Sequence, residues 1–175
     1  MNEKQIIAEG RYIRLLVQDN WEYVERLDIS GIVAIVAVTN KAELIFVEQY
    51  RPPVKGRVIE MPAGLAGDLP ESRGESLEKA ATRELLEETG YAVEKLERLF
   101  DGPPSPGLAS EVVTWFMGRE ARKVGPGGGD ETEDIDVFAI PIAEAFSWLE
   151  AKQAEGKMID PKVFVGLYYA QCQTD

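Results

Sequence analysis

Histidine is absent from this 175-residue chain, and cysteine occurs once, as Cys172. The missing histidines exclude His-ligated zinc sites and every catalytic step that uses an imidazole base, so acid–base chemistry falls to carboxylates, lysine or tyrosine. A single cysteine excludes an intrachain disulfide and any metal site built from several cysteines. No apolar stretch has the length of a membrane span and no secretory signal is found, so we expect a cytoplasmic protein with no membrane partner.

Positive charge is also scarce. The 19 Lys and Arg residues face 31 Asp and Glu residues, which gives a net charge of −12. Because a polyanion is repelled by such a chain, we expect no long nucleic-acid partner. The excess of carboxylates suits a site that concentrates cations, although it also serves as ordinary solubility charge. The length predicts one domain over residues 1–175, with enough chain to bury a core.

Hydrophobic patterns predict a mixture of strands and helices without regular strand–helix alternation, which is typical of an α+β fold. The predicted strands are Gln5–Ala8, Tyr12–Gln18, Trp21–Asp28, Gly31–Val38, Glu43–Gln49, Val58–Met61, Val93–Phe100, Glu111–Met117 and Asp134–Ile140. The predicted helices are Ser76–Gly90, Ala143–Ala154 and Pro161–Gln171.

Three glutamates fall where the first of these helices should carry apolar residues. Its N-cap is Ser76, and Gly90 stands just past its end. At about 100° per residue, Glu84, Glu87 and Glu88 continue the stripe that small apolar side chains begin. An acidic helix face is often only solvated, but carboxylates at this spacing repel one another unless a polyvalent cation binds them. Carboxylate oxygens suit Mg²⁺ or Mn²⁺, and Mg²⁺ usually completes its shell with phosphates.

The residues around this helix resemble the signature of the Nudix hydrolases. The matching positions, at the family's spacing, are Glu75, Arg83-Glu84-Leu85, Glu87-Glu88 and Gly90-Tyr91. Two positions depart from the family pattern. Tyr91 takes a place that is usually aliphatic, and Leu69 takes the place of the opening glycine. Gly64 is the natural counterpart of that glycine, which lengthens the polar loop before Glu75.

The resemblance implies a Nudix-type α/β/α sandwich, a central mixed sheet flanked by helices, with N-terminal antiparallel strands in residues 1–30. It also implies a pyrophosphohydrolase with two or three Mg²⁺ ions per site, Mn²⁺ being the alternative. The implied metal ligands are the Ala63 carbonyl and the carboxylates of Glu84, Glu87 and Glu88. The resemblance further implies that Arg83 orients these carboxylates and acts in catalysis together with Glu87. Glu75 would support them through contacts outside the metal site.

Two segments outside the helix are similar to ADP-ribose pyrophosphatases and nucleoside diphosphate sugar hydrolases. Pro106 lies fifteen residues past Tyr91, at the position of a proline in that subgroup. The stretch that runs from Val47 through Arg51 and on to Gly64 resembles the matching stretch of those enzymes. The implied substrate-binding residues are Arg51, Arg57, Glu60 and Pro106. The arginines, Arg57 as the weaker candidate, would clamp the diphosphate by bidentate hydrogen bonds.

The Gly-rich, acidic segment Gly127–Asp136 would alone be a solvated charge run. It resembles the acidic loop of ADP-ribose pyrophosphatases, which implies that Glu131 is the base that activates water. Glu133 is then a further metal ligand, and the sequence leaves open which of the two glutamates has which role.

Two aromatic residues, Trp21 and Tyr23, alternate with Glu22 along a predicted strand, so their rings project from one face. They are candidates for stacking on a nucleobase; burial against the sheet or in a dimer interface is the alternative. In the resembling enzymes the N-terminal strands are exchanged between two subunits, so we expect a homodimer.

The expected reaction is hydrolysis of a nucleoside diphosphate sugar, of the ADP-ribose or GDP-mannose type, to a nucleoside monophosphate and a sugar phosphate. Two alternatives stay open. One is another Nudix substrate class, such as oxidised nucleoside triphosphates, dinucleoside polyphosphates, coenzyme A or capped RNA. The other is a catalytically silent Nudix domain that binds ADP-ribose as a sensor.

Overall fold

A computed structural model describes residues 3–68, 72–129 and 134–172 of the chain. The described residues form two β-sheets, three α-helices and a short 3₁₀ turn at Pro52–Val54. The strands are β1 (Gln5–Glu9), β2 (Ile13–Gln18), β3 (Trp21–Arg26), β4 (Gly31–Thr39), β5 (Glu43–Arg51), β6 (Gly56–Glu60), β7 (Ala63–Ala66), β8 (Tyr91–Ala92), β9 (Leu96–Gly102), β10 (Val113–Lys123), β11 (Ile135–Pro141) and β12 (Met158–Ile159). The helices are α1 (Leu77–Thr89), α2 (Ile142–Ala154) and α3 (Lys162–Gln171). Within the described ranges, each helix is too short or too polar to cross a membrane.

The strand β4 lies in the middle of a nine-stranded sheet and is buried on both faces. Its side chains Val33 and Ile35 pack in a cluster with Ala80, Ala81 and Leu85, which lie on α1. Its alternate side chains pack in a second cluster with residues of α2 and α3. A strand covered on both faces needs apolar residues at every position, which explains the continuous apolar run. The result is the predicted α/β/α sandwich.

The large sheet is mixed, as predicted. Its main order is β12-β6-β5-β4-β10-β8, with β11 paired to β5, β7 to β4 and β9 to β10. The pairs β10–β4 and β12–β6 are parallel, and the other strand pairs are antiparallel. The first half of β4 pairs with β7, whereas β4 meets β5 only where Val38 stands opposite Leu44. The strands β4 and β5 therefore separate along the rest of their length.

The N-terminal strands β1, β2 and β3 form a separate antiparallel sheet, as predicted. It joins the loop before β10 through the backbone of Val24, whose N–H donates to Leu108 and whose carbonyl accepts from Ser110. Much of this small sheet is exposed, including every residue of β1.

The helix α1 begins and ends where its sequence predicts. The Ser76 hydroxyl accepts a hydrogen bond from the Lys79 N–H, and Gly90 follows the last turn with a φ of +67°. The Gly90 N–H donates to the Leu86 carbonyl, which closes the helix. A side chain at residue 90 would overlap the backbone of Gly125, so this position requires glycine both for its φ and for space.

Candidate active site

The cleft between the separated parts of β4 and β5 has a volume of about 500 Å³. Its walls combine residues from β3, β5, β7, α1 and the start of α3. Four basic and five acidic side chains line it: Arg26, Arg51, Arg83 and Lys162 against Asp68, Glu84, Glu87, Glu88 and Glu111. A cleft with both signs of charge suits a ligand that carries phosphates together with cations.

Close packing of β7 on α1 brings two of the predicted metal ligands against the backbone. A Cβ at residue 64 would overlap the carboxylate of Glu84, so Gly64 is required for this approach. The Glu88 carboxylate is almost fully buried and accepts a hydrogen bond of 3.0 Å from the Ala63 N–H. Ala63, Glu84 and Glu88 therefore lie together at one wall of the cleft.

Arg83 ties this wall together through its guanidinium. Its Nη1 donates to Glu84 at 2.9 Å and to Glu87 at 3.0 Å. Its Nη2 donates to the Leu65 carbonyl at 3.0 Å and to Glu75 at 2.9 Å. Glu75 thus contacts the arginine rather than the cleft, which agrees with its predicted supporting position. One guanidinium thus bonds three carboxylates and a backbone carbonyl at once.

The electrostatics of this wall follow from burial. Burial raises the pKa of Glu84 to about 7, and the neighbouring Arg83 opposes the rise only in part. Burial also favours the neutral form of Glu75, but hydrogen bonds from Arg83 and from the Gly67 N–H outweigh it and lower the pKa of Glu75. Desolvation lowers the pKa of Arg83, but the hydrogen bond to Glu75 and the negative charge of Glu84 outweigh it. The pKa of Arg83 is therefore raised.

These residues have the chemistry of a divalent-cation site. The donors are oxygen atoms, which Mg²⁺ and Mn²⁺ prefer. A buried carboxylate whose pKa lies near 7 gains its charge more easily beside a cation, so the raised pKa of Glu84 fits a metal ligand. In the described ranges, no three acidic side chains converge within coordination distance of one point. Glu87 is the most exposed of the three glutamates, with 51% of its side chain accessible, and it is bonded to Arg83.

The predicted substrate arginines have different surroundings. Arg51 lines the cleft, where its Nε donates to Glu60 at 2.9 Å. Glu60 is thus linked to the cleft by its hydrogen bond with Arg51. Arg57 does not belong to the described lining of the cleft. Its guanidinium instead bonds Glu48, Asp134 and other groups of the neighbouring strands.

The structure brings Trp21 close to the segment that contains Pro106. The Trp21 Nε1 donates to the Gly107 carbonyl at 3.2 Å, and the indole is 60% exposed. Pro106 is exposed, and the neighbouring Pro104 lines the cleft. Tyr23 is half buried, with its hydroxyl 3.4 Å from Gln18. Of the two aromatic rings, Trp21 has the more accessible face.

The sequence analysis missed five polar or charged residues of the cleft: Arg26, Gln49, Asp68, Glu111 and Lys162. Arg26 donates to Glu111 at 2.9 Å, which joins the end of β3 to the segment before β10. Lys162 opens α3 and forms an ion pair with Asp160. No motif links these positions, since only the packing of distant elements brings them together.

The proposed base Glu131 and the further ligand Glu133 lie outside the described residues, as does Leu69. The described residues before them are bonded to α1, because the Gly128 N–H donates to the carbonyl of Glu88 at 2.8 Å. Gly128 and Gly129 therefore lie at the C-terminal end of α1.

A larger and more open groove of about 900 Å³ lies beside β8, β9 and β10. Its charged side chains alternate in sign, with Glu94, Glu97 and Glu120 beside Lys95, Arg119 and Arg122. It lacks the buried carboxylates of the first cleft, and we place the chemistry in the first cleft for that reason.

Comparison with known proteins identifies the family of this chain. The NUDIX domain model matches residues 30–162, which is more than half of the chain. A methanol dehydrogenase activator of Bacillus methanolicus is 33% identical over 95% of this chain and 89% of its own length. An ADP-ribose pyrophosphatase of Bacillus subtilis (strain 168) is 32% identical over 96% and 90%. A GDP-mannose pyrophosphatase of Enterobacter sp. (strain 638) is 31% identical over 81% and 73%.

The fold has a counterpart among solved structures. A crystal structure of an ADP compounds hydrolase matches with a TM-score of 0.63, over 86% of this chain and 84% of that chain, at 23% sequence identity. The domain match, the relatives above 30% identity and the glutamate helix facing β7 lead to one conclusion: this chain belongs to the NUDIX family.

Proposed function

We propose that the protein hydrolyses the diphosphate bond of nucleoside diphosphate sugars and releases a nucleoside monophosphate and a sugar phosphate. The observation that carries the proposal is the cleft between β4 and β5, where an acidic wall and several cationic side chains share about 500 Å³. The names of two relatives, an ADP-ribose pyrophosphatase and a GDP-mannose pyrophosphatase, support this substrate class.

The acidic wall would hold divalent cations, Mg²⁺ in the first place and two or three in number. Their ligands would be the Ala63 carbonyl and the carboxylates of Glu84, Glu87 and Glu88, with Glu133 as a further ligand. When bound, the cations neutralise the diphosphate and polarise the phosphorus atom that is attacked. Arg83 keeps the carboxylates in position through hydrogen bonds of about 3 Å.

The cationic side chains would hold the substrate. Arg51 presents a guanidinium that is 44% exposed in the cleft, where it can bind a phosphate in a bidentate manner while Glu60 fixes its Nε. Lys162 and Arg26 extend the positive lining away from the metal wall. Trp21 would stack on the nucleobase, and Glu131 would take the proton from the attacking water.

A substrate panel tests this function. Purified protein is mixed with ADP-ribose, GDP-mannose, UDP-glucose and nucleoside triphosphates, each with Mg²⁺ and then with Mn²⁺, and the products are separated by ion-exchange chromatography. We expect a nucleoside monophosphate from at least one nucleotide sugar, and none when EDTA removes the metal. Release of pyrophosphate from triphosphates alone would contradict the proposed substrate class. Binding of ADP-ribose without any product would contradict hydrolysis and favour the sensor alternative.

We also propose a homodimer that forms through the small N-terminal sheet. The N-terminal region exposes several large apolar side chains that a partner surface would cover: Ile6, Ile7, Tyr12 and Ile13, each 46% exposed or more. We expect light scattering to give a mass of twice 19.4 kDa for the wild-type protein. Replacing Ile6 and Ile13 by lysine should give the single-chain mass, since two charges would enter an apolar contact.

The control for the dimer is Val124→Lys, because Val124 is 63% exposed and follows the end of β10, far in sequence from the N-terminal strands. This variant should keep the wild-type mass. A wild-type protein that is monomeric at micromolar concentration, or a double lysine variant that still dimerises, would contradict this interface.

A further inference from the structure

A cluster of five charged side chains lies at the start of β11, apart from the cleft. Arg57 on β6 donates from Nε to Glu48 at 2.9 Å, from Nη1 to Asp134 at 2.8 Å and from Nη2 to Asp136 at 2.6 Å. Glu48 also accepts from the Lys157 Nζ at 2.6 Å. The side chain of Glu48 is only 4% exposed, so its charge depends on these partners.

The guanidinium of Arg57 links three neighbouring strands. In the sheet, β5 lies between β6 and β11, with Asp136 directly opposite Glu48. On the other side of β5, Arg57 stands opposite Tyr50, two residues along from Glu48. Like charges opposite each other on paired strands destabilise the pair. Arg57 therefore holds β11 against β5 by bonding the carboxylates of both strands at once.

The segment before β11 is held at its other end by α1. The Gly128 N–H donates to the Glu88 carbonyl at 2.8 Å, and the Gly129 N–H donates to the Glu87 carbonyl at 3.0 Å. A side chain at residue 127 would overlap the backbone of Thr89, so only glycine allows this approach. Gly129, on one side of residues 130–133, is thus bonded to the glutamate helix, and Asp134, on the other side, is bonded to Arg57.

We propose that Arg57 is a positioning residue for hydrolysis: it fixes the start of β11 and, with it, one end of the segment that carries Glu131 and Glu133. This inference rests on the proposed function of those two glutamates. Lys157 provides a natural comparison within the same cluster, since its ammonium bonds Glu48 but makes no described bond to Asp134 or Asp136. Losing Lys157 removes a partner of Glu48 and leaves β11 anchored.

The test compares Arg57→Ala with Lys157→Ala in the full-length protein. Amide hydrogen exchange in residues 135–138 should become about tenfold faster or more in Arg57→Ala and stay within about twofold of wild type in Lys157→Ala. For hydrolysis, kcat of Arg57→Ala should fall about tenfold or more while KM and the Mg²⁺ requirement stay within about twofold. Arg57→Lys should not restore kcat, because an ammonium lacks the planar fork that reaches three carboxylates.

A second variant covers the case in which Arg57→Ala fails to fold. Replacing Asp134 and Asp136 by alanine keeps the Arg57–Glu48 pair and removes the two side-chain bonds from Arg57 to the start of β11, so it should reproduce the loss in kcat. Unchanged exchange of residues 135–138 would overturn the anchor, and faster exchange with wild-type kcat would overturn its role in the reaction. If the wild-type protein hydrolyses no nucleotide sugar, the proposed function fails, and the exchange data still decide whether Arg57 anchors β11.

Discussion

Glu88→Gln should lower kcat by about three orders of magnitude, which corresponds to roughly 4 kcal/mol in the activation barrier. The substitution removes one negative charge from the acidic wall and nearly preserves the shape of the side chain. The amide oxygen of glutamine can still accept the hydrogen bond that the Ala63 N–H donates to Glu88 at 3.0 Å. The fold should therefore survive, and the loss should come from weakened cation binding. Turnover of ADP-ribose and calorimetric titration with Mg²⁺ measure both effects.

The matched control is Glu78→Gln on the same helix. Glu78 is exposed in the first turn of α1, where removing its charge weakens the interaction with the helix dipole by about 0.3–1 kcal/mol. This variant should keep wild-type turnover and Mg²⁺ affinity. If Glu88→Gln retains wild-type turnover while it binds Mg²⁺ normally, Glu88 is not a metal ligand, and the assignment of the acidic wall fails with it.

Local patterns in the sequence predict much of this structure because they act over short distances. The bounds of α1 follow from Ser76 and Gly90, whose capping roles need only their immediate neighbours. The position of β4 at the centre of the sheet follows from its continuous apolar run, since both of its faces are covered. The glutamates of α1 stood out because carboxylates continue a stripe of small apolar residues. The structure turns Glu84 and Glu88 inward, whereas the side chain of Glu87 is 51% exposed.

The rest of the site depends on contacts between distant parts of the chain. The cleft opens because β4 and β5 share a single paired position, and no local pattern in either strand predicts that separation. Arg26 and Lys162 enter the cleft from opposite ends of the chain. The surroundings of Arg57 also depend on distant contacts. Its position in the sequence suggested that it binds a phosphate, whereas in the structure its N–H groups bond Glu48 and the start of β11.

The two glutamates of the acidic segment should respond differently to the same substitution. If Glu131 is the base, Glu131→Gln should lower kcat by about 10²- to 10⁴-fold, because the attacking water then keeps its proton. A base must be deprotonated to act, so wild-type activity should fall as the pH drops through its pKa, and this limb should disappear in Glu131→Gln. Added Mg²⁺ should restore nothing. If Glu133 is a metal ligand, Glu133→Gln should keep the pH limb and recover much of its activity at higher Mg²⁺ concentration.

Measuring both variants over a range of pH and Mg²⁺ concentration separates the two roles. Loss of the base changes how the activity depends on pH, and weakening of a metal ligand changes how it depends on Mg²⁺ concentration. A reversed result, with Mg²⁺ restoring Glu131→Gln and not Glu133→Gln, would exchange the assignments and leave the acidic segment as the source of the base. Wild-type rates for both variants would remove the segment from catalysis. The base would then have to be sought among the cleft carboxylates that are not proposed as metal ligands, Asp68 and Glu111.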